Sequence, residues 1–200
     1  GLKLRQRVDL VAAALIDDLP SVYGDAAKIV RSALSDPEFS GWTIWPVGEA
    51  MTALALASVI GTDFEDGLAM MADLTPRLSS EFAIRPFLVR DLDRSLAVIE
   101  IWTGSDDPHV RRLASEGTRS YLPWAIRVPE LLRRPECTVP ILDALYRDDD
   151  EVVRRSVANH LNDLSRHAPD VVVATAARWT AAPDANTAKV VRHALRTLIK

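Results

Sequence analysis

A short motif that returns at a fixed interval constrains this chain more than anything else in it. Asp106-Asp-Pro-His-Val-Arg-Arg112 comes back as Asp149-Asp-Glu-Val-Val-Arg-Arg155 and, more faintly, as Lys189-Val-Val-Arg-His193. In the first copy Asp106 or Asp107 suits an N-cap and Pro108 a first turn, while Gly117 and then Pro123 limit the helix between them. From Val110 to Val153 is 43 residues, and from Val153 to Val191 is 38. The spacing predicts a repeat protein of paired helices, each pair covering the apolar face its neighbour leaves open.

Those intervals are close to the two-helix HEAT-type period, and the rest of the chain agrees with an all-α solenoid. Residues 3–18 carry Leu4, Val8, Val11, Ala12 and Leu15 at helical spacing, and Asp25–Leu34 suits a second helix stopped by Asp36-Pro37. Phe39-Ser-Gly-Trp-Thr-Ile-Trp-Pro46 reads as a turn or wedge, with Trp42 and Trp45 expected to plug the helical layers together. Helices are predicted over Val47–Ile60 and Asp63–Leu74, then over a short run from Ser79 or Ser80 that Pro86 kinks or confines. Asp93–Trp102, Val128–Leu132, Val139–Tyr146, Asp150–Arg166, Asp170–Trp179 and Thr187–Ile199 complete the set. Strand signals are absent, since the only β-branched run of note, Val171-Val-Val-Ala174, continues into Ala-rich helical sequence.

Composition closes off several classes of function. The single cysteine, Cys137, excludes an internal disulfide, and four scattered histidines make no zinc spacing, so neither metal nor cofactor is expected. No stretch approaches 18 uninterrupted apolar residues and the N-terminus lacks a signal-peptide core, so we expect a cytoplasmic protein without membrane partners. A net charge of −4 argues against a generally basic nucleic-acid binder. Its distribution matters more than its sum. Residues 1–100 hold 9 basic and 15 acidic side chains, residues 101–200 hold 15 and 13, and all four histidines lie in the second half. Arginine makes up 20 of the 24 basic residues, and its planar fork suits phosphates and buried carboxylates.

Acidic and amide groups recur on the arginine-bearing helices: Glu81 with Arg85, Arg112 with Glu116, Asn159 with Asp163. If the repeats stack in register, these helices lie side by side and their like faces form one concave wall, locally basic with carboxylates inside it. Singly, such pairs are ordinary, because exposed i, i+4 ion pairs contribute only about 0.3 to 0.5 kcal/mol. Arg111, Arg154 and Arg192 fit a structural ladder to a neighbouring repeat's aspartate better than a functional role. Asn162-Asp163 is harder to assign to scaffold, since neither residue favours a helix interior.

Four stretches taken together carry a family resemblance. Ser80-Glu-Phe-Ala-Ile-Arg-Pro-Phe87 is followed by Val110-Arg-Arg-Leu-Ala-Ser-Glu-Gly-Thr-Arg119 with Leu122-Pro-Trp-Ala125. Then come Val153-Arg-Arg-Ser-Val-Ala-Asn159 with Leu161-Asn-Asp163, and Arg192-His-Ala-Leu-Arg-Thr-Leu-Ile-Lys200. In this order, over roughly residues 40–200, the chain resembles the AlkC-type DNA alkylation repair proteins, HEAT-like-repeat DNA glycosylases. Residues 1–38 match by position only. Ser120-Tyr121 stands where the family pattern has Pro-Arg, and His160 and Ala168 replace an expected Asn and His.

The resemblance implies a monofunctional glycosylase that hydrolyses the N-glycosidic bond of cationic alkylated bases, chiefly 3-methyladenine, in double-stranded DNA during base excision repair. It implies catalysis without base flipping. Glu81, Glu116 and Asp163 correspond to the family's active-site carboxylates, and Trp124 to the aromatic that packs against the damaged nucleoside. Arg85, Arg112, Arg119 and Arg155 would hold phosphates or fix the acids, with Asn159 and Asn162 beside them. Asp163 or Glu116 would orient water while Glu81 steadies a cationic sugar. We expect a monomer with a single domain over residues 1–200: N-terminal helices in 1–38, motif-bearing repeats in 39–200, and no immunoglobulin-like domain after them. The competing reading is a non-catalytic HEAT-repeat module that binds DNA or a protein partner.

Overall fold

Aspartates open the motif-bearing helices, as the sequence requires. In the computed structural model, which describes residues 1–199, the Asp107 carboxylate accepts from the His109 N–H at 2.7 Å and that of Asp150 from Val152 at 2.7 Å. Each satisfies a backbone donor that the first helical turn leaves free.

The helices among the described residues are α1 (Leu4–Asp18), α2 (Tyr23–Ala33), α3 (Ile44–Ala57), α4 (Asp63–Leu74), α5 (Arg85–Arg90), α6 (Leu92–Ile101), α7 (Pro108–Glu116), α8 (Pro129–Arg133), α9 (Val139–Leu145), α10 (Glu151–Leu164), α11 (Pro169–Ala181) and α12 (Thr187–Ala194). No strand occurs among these residues. One row runs α1 on α3 and then α7 on α10 on α12; the other holds α2, α4 and α6, then α9 and α11 behind α10. Between the rows lies one continuous core, from Tyr23 and Ala26 through Leu68, Phe87, Leu113, Val153 and Val157 to Val190 and Ala194. The architecture is an all-α, HEAT-like helical solenoid.

A recurring ion pair ties successive repeats. Arg31 forks onto Asp66 at 3.1 and 3.0 Å, Arg94 onto Glu65 at 2.5 and 2.6 Å, and Arg111 onto Asp148 at 2.6 and 3.0 Å. The ladder expected of Arg111 is therefore present. Arg154 reaches the same aspartate only through its backbone carbonyl.

Two expectations need correction. Trp45 is buried in the first turn of α3, with its ring stacked 4.7 Å from that of Phe82, but Trp42 is 66% exposed, so only Trp45 plugs the layers. Helix α12 ends at Ala194 rather than Ile199; past it the backbone tightens into a turn, with the Leu198 N–H on the Leu195 carbonyl at 2.8 Å, and the Asn162 side-chain oxygen Oδ1 accepts from both the Thr197 N–H (3.3 Å) and its hydroxyl (3.0 Å).

Candidate active site

Proline sets up the first part of the site. With Pro86 in its first turn, where no N–H is needed, α5 begins at Arg85, and Glu81–Ile84 form a turn instead of the helix expected there. Glu81 and Arg85 are therefore not an i, i+4 pair. Glu81 turns to Arg112 on α7, whose Nη2 donates to Oε2 at 2.9 Å. The Ser79 hydroxyl donates to the same oxygen at 2.8 Å and accepts from Arg112 Nη1 at 3.1 Å.

Stacking of α7 on α10 supplies the rest. Glu116 is the last residue of α7 and Asp163 lies one short of the end of α10, so both acids project at the same end of the helix row. Arg119 joins them, with Nη1 2.5 Å from Glu116 Oε1 and Nε 2.9 Å from Asp163 Oδ2. Arg112 also approaches Glu116, at 3.9 Å. Glu81, Arg112, Glu116, Arg119 and Asp163 thus form one unbroken line of alternating charge. Three carboxylates against two guanidiniums leave it one negative charge in excess.

The acids differ in how fully they are engaged. Glu116 Oε1 takes the arginines and Oε2 accepts from the Ser156 hydroxyl at 2.7 Å. Among the described residues, Asp163 Oδ1 and Glu81 Oε1 make no hydrogen bond, so each has lone pairs to offer a ligand. Burial would lower the Arg119 pKa, but the hydrogen bond and charge of Asp163 and the charge of Glu116 outweigh it and hold it above its ordinary value. Behind the line, His160 is fully buried, and burial pushes its pKa down to about 4, so the imidazole is neutral. Its Nδ1–H donates to the Ser115 carbonyl at 2.8 Å, which leaves Nε2 to accept from the Thr138 hydroxyl at 3.1 Å.

Arg85 neither fixes an acid nor faces solvent. It is wholly buried and donates to the carbonyls of Gly117 (3.0 Å), Arg119 (2.6 Å) and Ile126 (3.1 and 3.0 Å), cross-bracing the loop between α7 and α8. On that loop Trp124 has φ 64° and is 82% exposed. A bulky side chain at positive φ is strained, and such strain persists where the surroundings enforce it.

The remaining residues named from sequence fall into two groups. Asn162 is buried and staples Thr197, and the Asn159 side-chain oxygen Oδ1 accepts from Arg196 at 3.1 Å with His193 Nε2 2.8 Å away. Both amides tie α10 to α12 and the turn after it, and do not reach outward. Nor does Asn159 pair with Asp163. Arg155 is exposed, beside a pocket of about 130 Å³ lined also by Arg154, Lys189 and His193. Sequence reasoning missed Ser79 and Ser156, whose hydroxyls donate to Glu81 and Glu116, and Ser115 and His160 packed behind them. A weak signal existed for one pair: Ser115 and Ser156 sit 41 residues apart, near the repeat interval, and their hydroxyls meet at 3.1 Å. Among the described residues no group of three or more His, Cys, Asp and Glu could hold a metal ion.

The family model described as DNA alkylation repair enzyme matches residues 78–198, the segment that carries every charged member of this line. The chain belongs to that family. Over 199 residues it is 35% identical to protein YhaZ of Bacillus subtilis, a match covering 100% of this chain and 54% of that protein. The chain therefore spans about half the length of that curated relative. It is also similar to the Pseudomonas fluorescens alkylpurine DNA glycosylase AlkC, solved bound to DNA containing an abasic site analogue. That likeness has 32% identity and a TM-score of 0.66, and covers 98% of this chain and 63% of that one. AlkD2 of Streptococcus mutans shares the fold, with a TM-score of 0.51 at 20% identity over 94% of this chain and 98% of that one.

Proposed function

We propose that this member of the DNA alkylation repair family is a monofunctional glycosylase. It releases cationic alkylated bases, chiefly 3-methyladenine, from double-stranded DNA in the cytoplasm, acting as a monomer. The observation that carries this reading is the line Glu81–Arg112–Glu116–Arg119–Asp163, in which two acids keep an oxygen unengaged. An alkylated purine already bears positive charge, so its C1′–N bond breaks with the electron pair leaving on a neutral base. No general acid is needed. What develops is an oxocarbenium-like sugar, and what must be placed is a water to attack C1′.

The free oxygens divide that work. Asp163 Oδ1 orients the water and takes its proton, and Glu81 Oε1 faces the sugar's developing charge. Glu116, engaged on both oxygens, holds the two arginines in register. A unit charge about 4 Å from a carboxylate interacts by roughly 4 kcal/mol at an effective dielectric near 20. One well-placed acid then contributes on the order of a thousandfold in rate. Trp124 packs on the sugar face without the base being drawn into a pocket.

A non-catalytic DNA-binding module is the second reading, favoured by the fact that every acid here already has an arginine. Release of methylated bases from alkylated genomic DNA separates the two. Asp163→Asn should cut the rate by about a thousandfold while duplex binding persists, and Glu116→Gln should lower both rate and stability. Base release unchanged by Asp163→Asn, or absent from folded wild-type protein, would leave only the module.

A further inference from the structure

One patch of charge plays no part in the line of acids and arginines. The Arg127 guanidinium lies 4.7 Å from the centre of the Tyr121 ring and that of Arg166 lies 5.0 Å from the same point. They come from different elements, Arg127 from the loop before α8 and Arg166 from just past α10. Both are exposed, and among the described residues neither has a carboxylate partner; Arg127 donates only to the Ser120 carbonyl, at 3.1 Å. Arg31, Arg94, Arg111, Arg112 and Arg119, by contrast, all end on acids.

Two cations gathered on one ring repel each other, and the negative ring face offsets that only in part. The surroundings add like charge. Burial first, then Arg127 and Arg119, push the Arg85 pKa down to about 10; burial first, then Arg119 and Arg166 against the pull of Asp163, lower that of Arg196. An arrangement of this kind is completed by an anion. The Arg166 N–H donates to the Asp163 carbonyl at 3.3 Å, and Tyr121 stands three residues before Trp124, so the patch adjoins the site. His167 sets its ring 5.6 Å from that of Tyr121, edge to face; its nitrogens are shielded and unpartnered, so packing alone holds it there.

We propose that Tyr121, Arg127 and Arg166 form a clamp for one backbone phosphodiester of the DNA duplex, seated beside Asp163. The inference rests on the reading of this protein as one that binds DNA. Two planar forks suit the two free oxygens of a phosphodiester, and the ring holds both forks in place before the ligand arrives. Tyr121 is thus a positioning residue, acting through the arginines.

The test is binding of a duplex carrying an abasic-site analogue, measured by fluorescence anisotropy across a salt series. Arg127→Gln with Arg166→Gln should weaken binding about tenfold, and should flatten the slope of log affinity on log salt by about 0.9, the share of one phosphate. Tyr121→Phe should bind like wild type and Tyr121→Leu should not, while the exposed Arg133→Gln leaves slope and affinity unchanged. A salt-steep wild type whose slope survives the double substitution overturns the clamp and leaves the DNA reading standing. Equal losses in Tyr121→Phe and Tyr121→Leu overturn the role of the ring. A wild type that binds duplex without salt dependence sinks the DNA reading itself. If circular dichroism finds the double variant unfolded, the two single substitutions decide the matter.

Discussion

Arg85 takes a full charge into a place that holds no carboxylate. Its donors instead gather three carbonyls of the loop between α7 and α8. Replacing it with Met leaves those carbonyls unpaired in the interior, and we expect Arg85→Met to lose roughly 3 to 5 kcal/mol in chemical denaturation. Arg85→Lys should recover little, because one ammonium cannot span three acceptors. Under the glycosylase reading, base release should fall further than the remaining folded fraction explains, since Trp124 rides on that loop. At this scale the sequence showed an arginine four residues from a glutamate. It did not show that the arginine would be buried, because the turn at Glu81–Ile84 had first to carry the glutamate away from it.

Close approach between elements explains Gly117 better than helix termination does. Its φ of −69° is ordinary for any residue, yet a Cβ there would lie 2.1 Å from Ile84 Cδ1 and 2.9 Å from Cγ1. Ile84 is fully buried just before α5, so it has little room to yield. We expect Gly117→Ala to lower stability by about 1 to 3 kcal/mol, read from the denaturation midpoint, and to disturb the adjacent Glu116. The caps at Asp107 and Asp150, the stripe Val153, Val157, Leu161 and Leu164, and the spacing of α7 and α10 were legible, because capping and helical periodicity are local rules. The start of α5 and the end of α12 were not. Nor were the contacts made beside them, since Glu81 meets Arg112 and Thr197 meets Asn162 about 30 or more residues away in the chain.

Acid should weaken the whole molecule through its buried imidazole. His160 touches α7 through Ser115 and the segment before α9 through Thr138 while standing on α10, so its protonation state bears on the entire stack. Its folded pKa of about 4 lies below the ordinary histidine value of 6.5, so as pH falls the unfolded chain takes up the proton first. Stability is therefore full above about pH 6.5 and declines towards pH 4, by roughly 3 kcal/mol. His167 and His193, also lowered by burial, add slope of the same sign. Denaturation midpoints across that range should show a shallower decline in His160→Gln than in wild type; an equal decline would mean that His160 is not the group responsible.

By itself the sequence determined the helical repeat, its interval, the caps that start the motif-bearing helices, and the three acids worth watching. The repeat and its caps follow from periodicity and from the hydrogen-bonding habits of single residues, and the role of the acids is what the family resemblance implies. Only the tertiary structure decided that the acids would be threaded by Arg112 and Arg119 into one line, that Arg85 would brace a loop, and that Asn159 and Asn162 would face inward. Which charge meets which is fixed by how neighbouring helices stack, and a one-residue change in where a helix begins turns a side chain by about 100°.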